Sequence, residues 1–213
     1  MENLIYAAIF VGLTIAFLGI GGWYFFIWYV IIKMPTIPIA ESVRKFAEIK
    51  GHALPPGKEI LSPINQVPCS YYIVKVQEMG GGHSNNWVTI HQKSSTETMV
   101  IADDSGETAV SMGAAEAMFN EDFTARSATL WDRDFPGPVL LYMKNNRIKK
   151  SKTWGLDRPM RVVETYIKPG EEVYVLGWGA RTTHGIRFIK KGLYPLLVSD
   201  MSESRVARQY LLF

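Results

Sequence analysis

The chain has 213 residues, 20% of them charged, yet Leu4 to Ile32 carries no charge: 24 of its 29 positions are apolar and the other five are Gly or Thr. That stretch excludes a purely soluble protein, and the 184 residues outside it leave room for one domain of ordinary size. A net charge of +3 is too small for a nucleic-acid footprint, and the single cysteine, Cys69, excludes an intrachain disulfide and a cysteine-rich zinc site.

The first element is predicted to be a membrane-spanning helix within residues 1–34. At about 1.5 Å per residue, such a stretch exceeds the roughly 20 residues that cross a bilayer core of about 30 Å. A cleaved signal peptide needs basic residues before a short apolar region and small residues after it, but only Glu2 precedes and an aromatic run, Trp23–Tyr29, follows. The segment is therefore expected to stay as an anchor. Trp23, Tyr24, Trp28, Tyr29 and Lys33 suit the headgroup level, Pro35 and Pro38 stop the helix, and hydrocarbon is crossed mainly by residues 4–24. Ala8, Gly12 and Ala16 recur every four residues, with Gly19 on nearly the same face. Such a stripe either lets another helix approach closely or reflects the abundance of small residues in membrane helices. Lys33, Arg44, Lys45 and Lys50 lie near the exit, and no Lys or Arg precedes the span. Basic flanks stay on the cytoplasmic side, so the expected arrangement is a single pass through the cell membrane, N-terminus outside and domain in the cytoplasm. A lone thiol and the lack of an Asn-x-Ser/Thr sequon agree with it.

Residues 35–58 are read as a linker and first element, in which "ESVRKFAEIKGHA" fits either a short helix or a strand. Residues 59–199 form a β-rich domain. "CSYYIVKVQEM" alternates as a strand, and with "WVTIHQK" it makes a hairpin whose tip is the Gly80–Asn86 cluster. "TMVIADD" and "ETAVSM" flank an Asp-Ser-Gly turn. A short helix is expected at "GAAEAMFNEDF". Strands are expected at "VLLYMKNNRIKK", "MRVVETYI", "EEVYVLGWGAR" and "GIRFIKK". Residues 200–213 read as an amphipathic helix with Asp200 at its cap and Val206, Tyr210 and Phe213 on one face. The fold expected is mainly β (α+β), a compact barrel or sandwich behind one membrane helix, with one or two short helices.

Chemistry is sparse. His52, His83, His91 and His184 lie on separate segments without metal-ligand spacing, Asp103-Asp104 is better read as a turn than as a metal site, and Gly80-Gly81-Gly82 lacks the Lys-Ser/Thr of a phosphate loop. Cys69 offers a third reading, an enzyme with this thiol as nucleophile, but inside an apolar strand it reads better as a small hydrophobe. No catalytic residue, metal or cofactor is expected. The basic run Arg147, Lys149, Lys150 and Lys152 beside Trp154 is either a lipid or partner contact or a solvated strand end.

"ILSPINQVPCSYYIVKVQEM", "WVTIHQK", "ADDSGETAV" and "RVVETYIKPGEEVYVLGWGA" together resemble the GIDE, or "beside a membrane", domain family. The resemblance covers roughly residues 38–198, directly after the span. It implies a membrane-tethered β-domain. Eukaryotic members are ubiquitin ligases with a RING finger, which needs eight Cys/His zinc ligands, and one cysteine cannot supply them. The chain is closer to shorter, RING-less prokaryotic members. The expected function is a non-catalytic binding or scaffold module with the bilayer and a membrane or cytoplasmic protein as partners, or a homo-oligomer; nucleic acid is not a partner. The alternative is an accessory subunit of a larger membrane complex, packed through the helix.

Overall fold

The computed structural model describes residues 2–80, 86–127, 135–149, 152–153 and 156–211. Helix α1 (Glu2–Lys33) is unbroken and ends where Pro35 can no longer donate a helical hydrogen bond. Among the described residues thirteen strands follow: β1 (Phe46–Ala53), β2 (Tyr71–Met79), β3 (Trp87–Ser94), β4 (Thr98–Asp103), β5 (Gly106–Ser111), β6 (Glu116–Met118), β7 (Phe123–Arg126), β8 (Lys152–Thr153), β9 (Leu156–Asp157), β10 (Met160–Ile167), β11 (Glu172–Thr182), β12 (Gly185–Ile189) and β13 (Leu197–Ser199). Two further helices are α2 (Gly137–Asn145) and α3 (Glu203–Leu211), so the chain is mainly β, as its patterning predicts.

Five strands close on themselves in the order β1-β4-β5-β12-β11-β1. Counted along the chain this is 1-2-3-5-4-1, with only the β5–β12 pair parallel, the connectivity of an OB-type Greek-key barrel. That likeness concerns architecture and carries no function. Closure comes at β1, which pairs with β11 along Phe46–His52 on one edge and with β4 at His52–Ala53 on the other; at Gly51, beside this junction, a Cβ would stand 2.6 Å from the Ala102 carbonyl oxygen. A second, antiparallel sheet, β3-β2-β10-β7, is covered by α2, and β13 with β6 extends the barrel wall beside β11.

Alternation along the strands sorts side chains into three cores. Val173 and Val175 point into the barrel with Ile49, Ile101 and Phe188, whereas their neighbours Tyr174 and Leu176 point outward to α1 and α3. Likewise Tyr71 and Ile73 of β2 join the barrel core while Val74 and Val76 pack under α2.

Three local expectations are corrected. "GAAEAMFNEDF" opens with a single 3-10 turn, Met112–Ala114, and continues as β6, because Glu116–Met118 is taken up as a strand parallel to β13. "VLLYMKNN" is helix α2: Pro138 sits in its first turn, and Val139, Tyr142 and Met143 share the i, i+3, i+4 face that meets the second sheet. Asp200 does not cap α3. Its carboxylate accepts the Asn120 N–H at 2.9 and 3.1 Å instead, and the helix begins at Glu203.

Candidate functional site

Helix α1 divides by environment. Ile9 to Gly22 is exposed throughout, but from Tyr24 onward one stripe is engulfed: Ile27 is 3% and Ile31 0% exposed, among Tyr174, Leu176, Leu197, Val206 and Tyr210. At 100° per residue, Tyr24, Ile27 and Ile31 fall on one side, and Tyr24 meets the Tyr210 ring at 6.3 Å. Amphipathic α3 therefore serves as a wedge between the barrel wall and α1. Beyond the helix the chain is pinned as well. Ile37 donates to the Glu48 carbonyl at 3.0 Å, Thr36 bridges Glu48 in parallel, and the Ile39 N–H reaches the Asp103 carboxylate at 2.8 Å. The helix thus leaves the barrel at a fixed angle.

Beneath this junction lies a buried acid. Glu48, fully buried on the outward face of β1, accepts from the Thr36 and Tyr174 hydroxyls, the latter at 3.3 Å, with the Lys50 ammonium 3.9 Å away. Desolvation pushes its pKa up, more than the Thr36 hydrogen bond and Lys50 pull it down. Lys50 also reaches Glu203 of α3 at 3.4 Å. This polar floor borders an open cavity of about 840 Å³ between Trp28 and Ile32 of α1 and the start of α3. On the other flank of α1, a second cavity of about 710 Å³ is lined by Gly19, Gly22, Trp23 and Phe26 and by Gly192 to Tyr194.

A second buried acid organises the distal side. Glu164, fully buried in β10, accepts from the Ile64 N–H at 2.8 Å, the Asn65 N–H at 3.0 Å and the Ser62 hydroxyl at 3.3 Å, which folds the 62–67 loop over the second sheet. Burial raises its pKa despite those three donors. Cys69 is buried nearby, and burial followed by the Glu164 charge pushes its thiol up to about 11, so it stays protonated at neutral pH. Asp103 is a turn acid: one carboxylate oxygen takes the Ser105 hydroxyl at 2.6 Å and the Ser105 and Gly106 N–H groups at 2.7 and 3.0 Å. Burial there is outweighed by these bonds and the one from Ile39, which lower its pKa. Among the described residues no three His, Cys, Asp or Glu side chains converge as a metal site.

The sequence-predicted residues are distributed as follows. Gly12, Ala16 and Gly19 form an open line along α1, and a Cβ at Gly12 or Gly19 would meet nothing within 4 Å; the Ala8 side chain lies outside the description. Trp23, Tyr29 and Lys33 are exposed, whereas Tyr24 and Trp28 are half-buried against the domain. Arg147 and Lys149 are exposed past the end of α2, on a different core from the one holding α1. Lys150 and Trp154 lie outside the described residues, as does the Lys152 side chain. Sequence reading missed Glu48, Glu164 and the Gly192–Tyr194 turn. Each had a local signal: a single acid inside an apolar strand, "FAEIKGHA" and "MRVVETYI", and a Lys-Lys-Gly followed by apolar residues.

No family model, no curated protein and no solved structure matches the chain.

Proposed function

We propose that the protein is a single-pass, membrane-anchored, non-catalytic binding or scaffold module of the GIDE type, its barrel held against the cytoplasmic face of the cell membrane. One observation carries this reading: α1 is long and apolar enough to cross a bilayer core, is exposed from Ile9 to Gly22, and then becomes part of the domain's own core at Ile27 and Ile31. A signal peptide is discarded, and its loss here would open that core. Exposed Lys33, Arg44 and Lys45 at the exit support the cytoplasmic orientation, while Lys50 is engaged by Glu203. The protonated, buried Cys69 supports a non-catalytic role. For the GIDE reading, the support is that its motifs fall on successive elements: Cys69 just before β2, Tyr71–Met79 as β2, Trp87 heading β3, the Asp103–Gly106 turn, and Glu164–Gly177 across β10 and β11.

The test is extraction of the native protein in gentle detergent, size separation, and mass spectrometry of what travels with it. Substoichiometric partners that survive Gly12→Leu support a recruiting module. Partners at fixed ratio that are lost on Gly12→Leu move the reading to a complex subunit held through the Ala8/Gly12/Ala16 face.

A further inference from the structure

We propose that the turn from Lys191 to Tyr194 is a second membrane contact, and that with α1 it forms a groove for an anionic phospholipid of the bilayer. The proposal deepens the anchored-module reading and rests on it. Lys191 and Tyr194 close the turn, with the Lys191 N–H to the Tyr194 carbonyl at 3.3 Å and the Tyr194 N–H to the Lys191 carbonyl at 3.0 Å, and Gly192 supplies the left-handed residue, φ +57°. At its tip Leu193 is 81% exposed. The turn is held rigidly, because Tyr194 stacks on Phe46 and Trp178, with ring centroids 4.8 and 5.7 Å away, and the Lys191 ammonium lies 3.5 Å over the Trp178 ring. An isoleucine-sized apolar side chain displayed on a stiff turn is costly in water and favourable in a lipid interface.

The level of the groove identifies its occupant. From Leu4, about 20 residues of helix at about 1.5 Å each reach the far side of the hydrocarbon near Trp23. Gly19, Gly22, Trp23 and Phe26, which line the groove opposite Leu193, therefore straddle the boundary between acyl chains and headgroups. Gly19 and Gly22 leave the helix side open, with nothing within 4 Å of a Cβ at either. Lys191 lines the groove, Lys190 precedes it in the chain, and Arg44 and Lys45 lie on the neighbouring segment beside Trp178; all four are exposed and none is in an ion pair among the described residues. Arg44 and Lys45 are tied there by paired backbone bonds to Gly179, next to Trp178, at 2.6 and 2.9 Å. An apolar slot at the boundary of acyl chains and headgroups, with Lys191 in its lining and exposed cations free of ion pairs on the adjoining segments, is complementary to a phospholipid with an anionic headgroup.

The experiment uses the full chain carrying Cys69→Ser and Leu193→Cys, labelled at position 193 with an environment-sensitive fluorophore, in phosphatidylcholine vesicles with and without phosphatidylglycerol. The expected result is a blue-shifted signal quenched by spin labels high on the acyl chain, and preferential retention of phosphatidylglycerol after detergent extraction, reduced about tenfold by Lys190→Gln together with Lys191→Gln. Lys190→Gln alone, which spares the Trp178 contact, is expected to weaken retention in the same direction. A probe with the emission of water, or equal retention of both lipids, overturns the proposal. So does disulfide cross-linking between two copies through position 193, which would make the occupant a second chain. Alkaline extraction separates the two levels of failure: a chain released from the vesicles refutes the anchor itself, whereas a retained chain with an aqueous probe refutes only the groove.

Discussion

Replacing Ile31 with Ala tests whether the end of α1 belongs to the domain. Ile31 is fully buried among Tyr174, Leu176, Leu197 and Val206, contributed by β11, β13 and α3. Truncating a side chain so enclosed loses its transfer free energy and leaves a cavity, costing about 2–5 kcal/mol. For a chain of this size each kcal/mol moves Tm by roughly 2–4 °C, so Ile31→Ala is expected to lower Tm by about 5–15 °C. Leu18, on the same helix, is 71% exposed, and Leu18→Ala is expected to move Tm by no more than about 2 °C. The assay is thermal unfolding of the full chain in detergent, followed by a thiol-reactive dye at buried Cys69, the chain's single cysteine. Equal midpoints for the two variants would refute the docked helix. They would mean that α1 is merely tethered to the barrel.

Three more outcomes follow from the buried polar groups. Glu164→Ala strands the buried donors of Ser62 and Ile64 and the partly buried Asn65 N–H, and is expected to cost about 3 kcal/mol, read as a lower Tm and faster proteolysis at the 62–67 loop; an unchanged Tm contradicts the role given to Glu164. The folded pKa of Glu48 is raised from 4.5, chiefly by desolvation, so the native state holds that proton more tightly than the unfolded chain. Its stabilisation is full below about pH 4.5 and is lost as pH rises through the raised value, so the Tm of Glu48→Gln relative to wild type should rise across that interval; parallel Tm–pH curves contradict it. Cys69, with its thiol pushed up to about 11, is expected to resist alkylation at neutral pH until the chain unfolds, and rapid labelling of the native protein would contradict its burial.

The parts of the molecule legible in sequence are those whose pattern is local. The uncharged stretch gave the helix and its stop at Lys33, period-two alternation gave β2 and β3, and the Lys168–Glu171 turn marked off β10 and β11. What stayed hidden depends on partners far along the chain. Whether Phe46–Ala53 is helix or strand is decided by pairing with β11, 120 to 132 residues away, and β6 exists only because β13 passes beside it. The apolar run in α2 suits a strand as well as a helix over so short a length, and the covering of the second sheet selects the helix. The candidate site was hidden for the same reason. Tyr24 and Trp28 carry the composition of an interfacial belt, but which side of each ring packs on the domain is set by the docking of the helix.

The central claim is that one helix is both membrane span and domain core. It is tested most directly by the intact mass of the native chain recovered from membranes washed at alkaline pH. The expected result is the full chain, apolar segment included, in the membrane pellet. A chain trimmed after the apolar segment and found in the supernatant would contradict the claim.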